Sequence, residues 1–280
     1  MPRLILLCLL VLLPACQGAS DPGRPTVVAA VYPLAYVAER IGGPAVEVID
    51  LTPAGSDAHD VELSLEDRAA IEEADVVVYM GQLGFQPQVE AAVADAAGHV
   101  VDASRGDQTL AAGEDPHRWL DPIFVRDAAE DLAEAIASAD PARADAHRQR
   151  AARLVADLDR LADEVGVEDC SHHTAIVTHE AFASLLPEPF RQHGLAGADP
   201  EGEPTSDRLR EAARLVRAGD AGAVFYEETD EGRRVGTAVA ADLGVPALPL
   251  HTLEARPASG DYLTAMRANI ASLREGLGCR

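Results

Sequence analysis

Three histidines and one glutamate stand out among the side chains that could do chemistry. His117 lies in Asp115-Pro116-His117-Arg118-Trp119-Leu120-Asp121-Pro122, a stretch that also holds the chain's single tryptophan. Each proline keeps the aspartate before it out of helical backbone, so the segment around His117 is stiff and extended. Trp119 supplies an apolar body that can shield such a site from water. His59 sits in the turn-rich run Gly55-Ser56-Asp57-Ala58-His59-Asp60. His179 follows the apolar run 174–178, and Glu254 follows a second one at 245–250. All four fall where strands are expected to end.

Three neutral imidazoles and a carboxylate in a closed tetrahedron suit Zn²⁺. Mn²⁺ prefers more oxygen donors and ranks below zinc at a nitrogen-rich site. Cu²⁺ would bind more tightly than either, so selection against copper rests on geometry and supply. The fourth ligand is open between Glu254 and His251. A carboxylate would leave a single net positive charge in the cleft, whereas a fourth imidazole would leave the full dication to be buried, and burial of charge is costly. Charge therefore favours Glu254. Asp57, Asp60, Asp121 and Glu227 are candidates to orient the imidazoles, though each reads equally well as a solvated loop carboxylate. His99, His147, His172, His173 and His193 read as surface or helix-end residues.

These donors need elements to position them. Strand patterns at 26–32, 46–51, 75–79 and 99–102 alternate with helix patterns at 33–41, from Ser64, and at 85–97. Ser64-Leu65-Glu66-Asp67 resembles a capping box with aspartate in the acidic place. Such alternation predicts a parallel sheet with helices on its faces. A helix at 123–139 follows, then a long one starting at Pro141 whose leucines recur at helical spacing. About 25 residues of helix would be roughly 37 Å long, enough to run the length of a small domain. Alternation then resumes with a strand at 175–178, a short helix from Glu180 broken by Pro187 and Pro189, and a loop at 194–204. A serine-capped helix from Ser206, a strand at 222–226, a helix at 230–243, an edge strand at 247–250 and a helix at 262–277 complete it. The expected fold is α/β: a first lobe at 26–140, a connecting helix at 141–166 and a second lobe at 167–280. Ligands bind beyond the carboxyl ends of parallel strands, so a cleft between the lobes would gather all four donors.

The chain has 280 residues, 48% of them hydrophobic, which is enough for one large core or two modest ones. Its formal net charge of −24 excludes the basic footprint that nucleic-acid binding needs. Arg3 followed by an apolar run at 4–13 reads as an export signal, too short to span a membrane comfortably. Leu13-Pro14-Ala15-Cys16 has the form of a bacterial lipobox, so residues 1–16 are expected to end at a lipidated Cys16. Residues 17–25 suit a flexible tether. Once Cys8 leaves with the signal and Cys16 carries lipid, Cys170 and Cys279 remain as an even pair in an oxidising compartment, and a disulfide between them is expected.

On these residues the sequence resembles the solute-binding lipoproteins of bacterial zinc and manganese ABC importers, of the zinc-uptake and lipoprotein-receptor-antigen type. The resemblance rests on Tyr32-Pro33-Leu34, the His59 and His117 stretches quoted above, Thr178-His179-Glu180-Ala181-Phe182, and Leu253-Glu254. It covers nearly the whole chain beyond the tether. It implies a two-lobed fold with a rigid connecting helix and metal ligands at His59, His117 and His179, with a carboxylate as the fourth. It also implies an ABC permease as partner and a lipid-anchored place outside the cytoplasm; a monomer is expected. Manganese-type members carry a carboxylate where this chain has His179, which points to zinc. Many zinc members carry a long histidine-rich loop before the second ligand; here 104–115 is short and has no histidine. The main rival is an exported zinc-dependent hydrolase with a coordination position open to water. The chain has no His-Glu-x-x-His motif and no clear nucleophile paired with a base. A surface adhesin or binding lipoprotein is a third reading. If Cys16 carries the anchor, Cys16→Ser should move the protein from the membrane fraction to the soluble fraction and change its electrophoretic mobility. Retention in the membrane with unchanged mobility would refute it.

Overall fold

The computed structural model describes residues 23–52, 58–105, 115–166, 169–197 and 202–280. Cys16, Asp57 and the proposed signal lie outside the described residues. The first lobe contains β1 (Thr26–Ala29), α1 (Tyr32–Gly42), β2 (Glu47–Asp50), α2 (Leu65–Glu73), β3 (Val76–Tyr79), α3 (Pro87–Val93) and β4 (His99–Asp102). Next come α4 (Pro122–Ala139) and the long α5 (Ala144–Glu164). The second lobe contains β5 (Thr174–Val177), β6 (Arg191–Gly194), α6 (Ser206–Ala218), β7 (Val224–Glu227), α7 (Asp230–Leu243), β8 (Ala247–Leu250) and α8 (Tyr262–Leu277). The first sheet has the order β2-β1-β3-β4 and the second β6-β5-β7-β8, and every pairing is parallel.

The apolar runs are unbroken because both faces of each central strand are covered. In the first lobe Val27, Ala29, Val76 and Val78 face inward, while Val28 and Val77 face outward onto Ile71 of α2 and Val89 and Val93 of α3. In the second, Ala175, Val177 and Phe225 face inward, and Ile176 and Val224 pack on Ala212, Leu215 and Ala240 of the outer helices. The two inward faces belong to one continuous core, bridged by Leu154, Leu158 and Leu161 of α5. Those leucines lie three and four residues apart and so share a helix face. Ion pairs fasten α5 at its sides: Asp157 to Arg40 of α1 at 2.8 Å, and Glu164 to Arg267 of α8 at 2.9 Å.

Several local expectations hold. Ser64 caps α2 in a reciprocal box with Asp67, and β8 is an edge strand. Cys170 and Cys279 are bonded, joining the approach to β5 to the end of α8. Others are corrected. The helix expected at 85–97 is only Pro87–Val93, because Gln86 is buried and donates from Nε2 to the carbonyls of Ala30 and Ala58. At its other end Gly98 passes so close to the Ala74 carbonyl that a Cβ would lie 2.2 Å from it. The segment after Glu180 forms just one 3-10 turn, Ala183–Leu185. Gly194, expected to begin a loop, instead ends the edge strand β6 (Arg191–Gly194), which the sequence did not show. Its polar sequence carries no alternation, and its signal is Gly194, where the Glu180 side chain occupies the space of a Cβ. The cap of α6 is Thr205, whose hydroxyl accepts from Arg208 N, rather than Ser206.

His147 is also corrected. It is fully buried in the first turn of α5 and pairs through Nε2 with Asp140 at 2.8 Å. Its Nδ1 lies 3.2 Å from the carbonyl of Ile41, at the end of α1. Arg143 adds a second cation to the same Asp140 carboxylate at 2.6 Å. The α4–α5 turn is thereby tied to α1. His99 and His173 are exposed, and His172 and His193 half-buried, as befits surface positions. His147→Leu removes one partner of a buried pair and should destabilise the fold by about 3 kcal/mol in urea unfolding. An unchanged midpoint would show that Arg143 alone satisfies Asp140.

Candidate metal centre

Each candidate ligand follows a strand of one sheet or the other. His59 lies between β2 and α2, on a segment anchored where Gln86 Nε2 donates to Ala58 O at 3.0 Å. Its ring meets Phe85 edge-on, with centroids 4.7 Å apart. His117 lies between β4 and α4. Asp115 accepts from both its backbone N–H, at 3.0 Å, and its Nδ1, at 2.6 Å, so one carboxylate fixes backbone and ring together. Trp119, fully buried, packs edge-on against the His117 ring at 5.1 Å. His179 follows β5, and its Nδ1 donates at 2.6 Å to Glu227, the last residue of β7. Glu254 follows β8 on a segment whose Thr252 carbonyl accepts from Trp119 Nε1 at 2.7 Å.

One donor atom from each of His59, His117, His179 and Glu254 lies within 4.8 Å of the others. His117 Nε2 is 2.9 Å from Glu254 Oε1 and 3.3 Å from His59 Nε2. His179 Nε2 is buried and has no hydrogen-bond partner among the described residues. With both Nδ1 atoms committed to carboxylates, His117 and His179 turn Nε2 inward. A buried nitrogen with nothing to bind is costly in a packed fold, and a cation would satisfy it. His117 and His179 are 1% exposed, whereas the His59 side chain keeps 24% of its surface. A cleft of about 440 Å³ reaches His59 and His117, bordered by Phe85 on one side and by Glu180 and Gln192 on the other.

The electrostatics separate the histidines. Burial pushes the His59 pKa down; the Glu254 charge opposes this, and the neighbouring imidazoles reinforce it. For His117 burial also pushes down, but hydrogen bonds to Asp115 and Glu254 outweigh it and carry the pKa up to about 9. Asp115 would be raised by burial, but its bond to His117 holds it below the usual carboxylate range.

All four sequence candidates thus come together. His251 does not join them: its Nε2 pairs with Glu228, and its backbone is held on both sides by Asn269, at 2.7 and 2.8 Å. Of the four candidate orienting carboxylates, Glu227 bonds an imidazole, that of His179. Asp121 instead caps α4, accepting from Ile123 N, and lies 3.8 Å from Arg118. Asp60 is exposed, and Asp57 lies outside the described residues. Asp115 was not among the expected orienting carboxylates. Its signal was the Asp-Pro-His spacing, which lets an aspartate reach both the amide and the ring two residues on.

Two sheets of parallel strands, one long helix and donors facing one another across a cleft define a bilobed α/β protein with a candidate metal site. Residues 27–276 match the family model described as zinc-uptake complex component A, periplasmic (ZnuA), and the chain belongs to that family. The zinc-binding protein AdcA of Streptococcus pyogenes serotype M1 is 25% identical over 289 residues, covering 90% of this chain and 56% of AdcA. The chain therefore spans about half the length of that relative. A putative metal-binding protein of Treponema pallidum (strain Nichols) is 25% identical, covering 91% of this chain and 90% of its own. Among solved structures, the laminin-binding protein Lmb of Streptococcus agalactiae, described as having adhesin and metal-transporting activity, superposes with a TM-score of 0.75 at 27% identity. That likeness covers 90% of this chain and 99% of Lmb.

The raised His117 pKa gives the cation-stripped protein a pH signature. A group protonated more readily in the folded than in the unfolded state stabilises the fold fully below its unfolded value of about 6.5, and that stability is lost as pH rises through the folded value. The rise to about 9 corresponds to ~3 kcal/mol. Urea midpoints of chelator-treated protein should fall by that equivalent between about pH 6.5 and 9, and His117→Gln should remove the slope. A wild-type midpoint flat across that window would contradict the His117 hydrogen bonds.

Proposed function

We propose that this chain captures Zn²⁺ in the cleft between its lobes and delivers it to an ABC-type import permease. The carrying observation is the set of four inward donor atoms, three imidazole nitrogens and one carboxylate oxygen, within 4.8 Å of one another. Such a set fits tetrahedral Zn²⁺ with bonds near 2.0–2.2 Å, whereas Mn²⁺ would favour more oxygen. We assign His59, His117, His179 and Glu254 as ligands, with Asp115 and Glu227 holding two of the rings.

We place the first lobe at 26–140, the connecting helix at 141–166 and the second lobe at 167–280. On this division each lobe supplies two ligands, so the ion itself bridges them. We further infer that the protein works outside the cytoplasm, held to the membrane by lipid on Cys16, as a monomer that docks on its permease. Among the described residues no helix is long and apolar enough to cross a membrane. Four protein ligands leave a tetrahedral ion no position for an activated water, so the site binds and does not catalyse.

Native mass spectrometry with competing metals tests the reading. One zinc per chain, retained against manganese, is the expected result, and preferential manganese loading would overturn it. The ligand assignment predicts that Glu254→Ala weakens zinc binding by about tenfold or more in chelator competition, while His251→Ala changes it little. The opposite pattern would move the fourth ligand to His251. No effect from either would mean that solvent completes the shell, and the hydrolase reading would reopen.

A further inference from the structure

We propose that Glu254 is held in the site from across the cleft, and that Leu253 is the torsion through which a small displacement of the lobes withdraws it. The inference rests on the zinc-capture reading. Leu253 has φ 59, in the left-handed region. Gln82 and Asp169 share positive φ but are exposed, whereas Leu253 is 3% exposed. In that region the Cβ of an L-residue crowds the next carbonyl, and leucine has no short polar group to compensate. Such a conformation persists only where its surroundings impose it.

Contacts on both sides of Leu253 impose it. Upstream, Asn269 of α8, fully buried, accepts from His251 N and donates to His251 O, fixing the root of the segment to the second lobe. The next residue is held by the first lobe, where Trp119 Nε1 donates to Thr252 O at 2.7 Å. Downstream, Arg256 pairs at 2.6 Å with Glu39 of α1, and its guanidinium lies 4.9 Å from the Tyr32 ring centre. Glu254 sits between these two ties and itself reaches His117 at 2.9 Å. By chain connection it belongs to the second lobe, but by contact it belongs to the first.

A wide opening of the lobes would tear the continuous inner core, so release must work through a small movement. A hydrogen bond of ordinary length is lost when its partners separate by less than about an ångström. A shift of that size breaks the Trp119 and Glu39 ties while Asn269 still holds the root. Leu253 then relaxes to ordinary backbone and carries Glu254, the next residue, away from the ion. Three neutral imidazoles remain around a dication that has lost its one charged ligand.

The test compares Leu253→Gly with Leu253→Ala. Both lose the side chain, but only glycine occupies left-handed backbone freely. If that backbone is adopted with zinc and abandoned without it, the glycine variant should bind zinc about fivefold more tightly than the alanine variant. The zinc-free glycine variant should then be no more stable than the alanine one. Equal zinc affinities, or a zinc-free glycine variant that is the more stable, would overturn the proposal, since the strain would then be present in both states. Glu39→Gln, which alters the exposed pair with Arg256 and no proposed ligand, should speed zinc dissociation several-fold with association and zinc-free melting unchanged; an unaltered dissociation rate would overturn the cross-lobe tie. Wild-type protein that binds no zinc would sink the capture reading itself, and the proposal with it, which the other outcomes would not do.

Discussion

An imidazole presents one nitrogen to a cation reliably only when its other nitrogen is held. Here the holding groups are carboxylates: Asp115 on His117 and Glu227 on His179, both at 2.6 Å. Each bond makes Nδ1 the donor, fixes the ring plane and leaves Nε2 facing the other candidate ligands. The parallel sheets follow from the same need. Only at the carboxyl ends of neighbouring strands do a histidine after β5 and a glutamate ending β7 arrive side by side. In the first lobe no second strand is required, because the extended Asp-Pro-His segment brings its own carboxylate back onto the ring.

The second constraint is the core shared by both lobes. Inward residues of both sheets, the α5 leucines and the ring cluster of Tyr32, Tyr36 and Tyr262 form one apolar body. Burying a large apolar side chain is worth about 1.5–3 kcal/mol, so separating these faces would expose many such groups at once. The lobes consequently meet as one packed solid below the cleft. The candidate ligands lie at the rim of this body, and His59 is the one most exposed to solvent.

Much of this could be read from the sequence, for identifiable reasons. The apolar runs of β1, β3 and β5 and the spacing of leucines on α5 are strong signals, and α7 and α8 match their expected limits. The four ligand candidates were legible because His179 and Glu254 follow apolar runs, while His59 and His117 sit in stretches with turn chemistry and Asp-Pro steps. β6 was not legible, since Arg-Gln-His-Gly has neither alternation nor branched residues and is held by its pairing with β5 and by bonds to Glu180 and Arg208 distant in sequence. His147 was misread because helical periodicity marks apolar faces and is blind to a histidine that joins such a face by pairing with Asp140. Charge favoured Glu254 over His251 in the sequence, whereas nothing in the residue type announces the left-handed backbone that Leu253 adopts just before Glu254.

The bond between Cys170 and Cys279 has a consequence of a different kind. It joins the first part of the second lobe to its last, so almost all of that lobe's chain lies within a covalent ring. A single proteolytic cut anywhere in the ring leaves both fragments attached, with β5 and α8 still tethered to each other. For a protein expected to stand outside the cell among foreign proteases, the lobe can be nicked on a surface loop without shedding a piece of its sheet. The first lobe has no such ring, and its integrity under attack depends on packing alone.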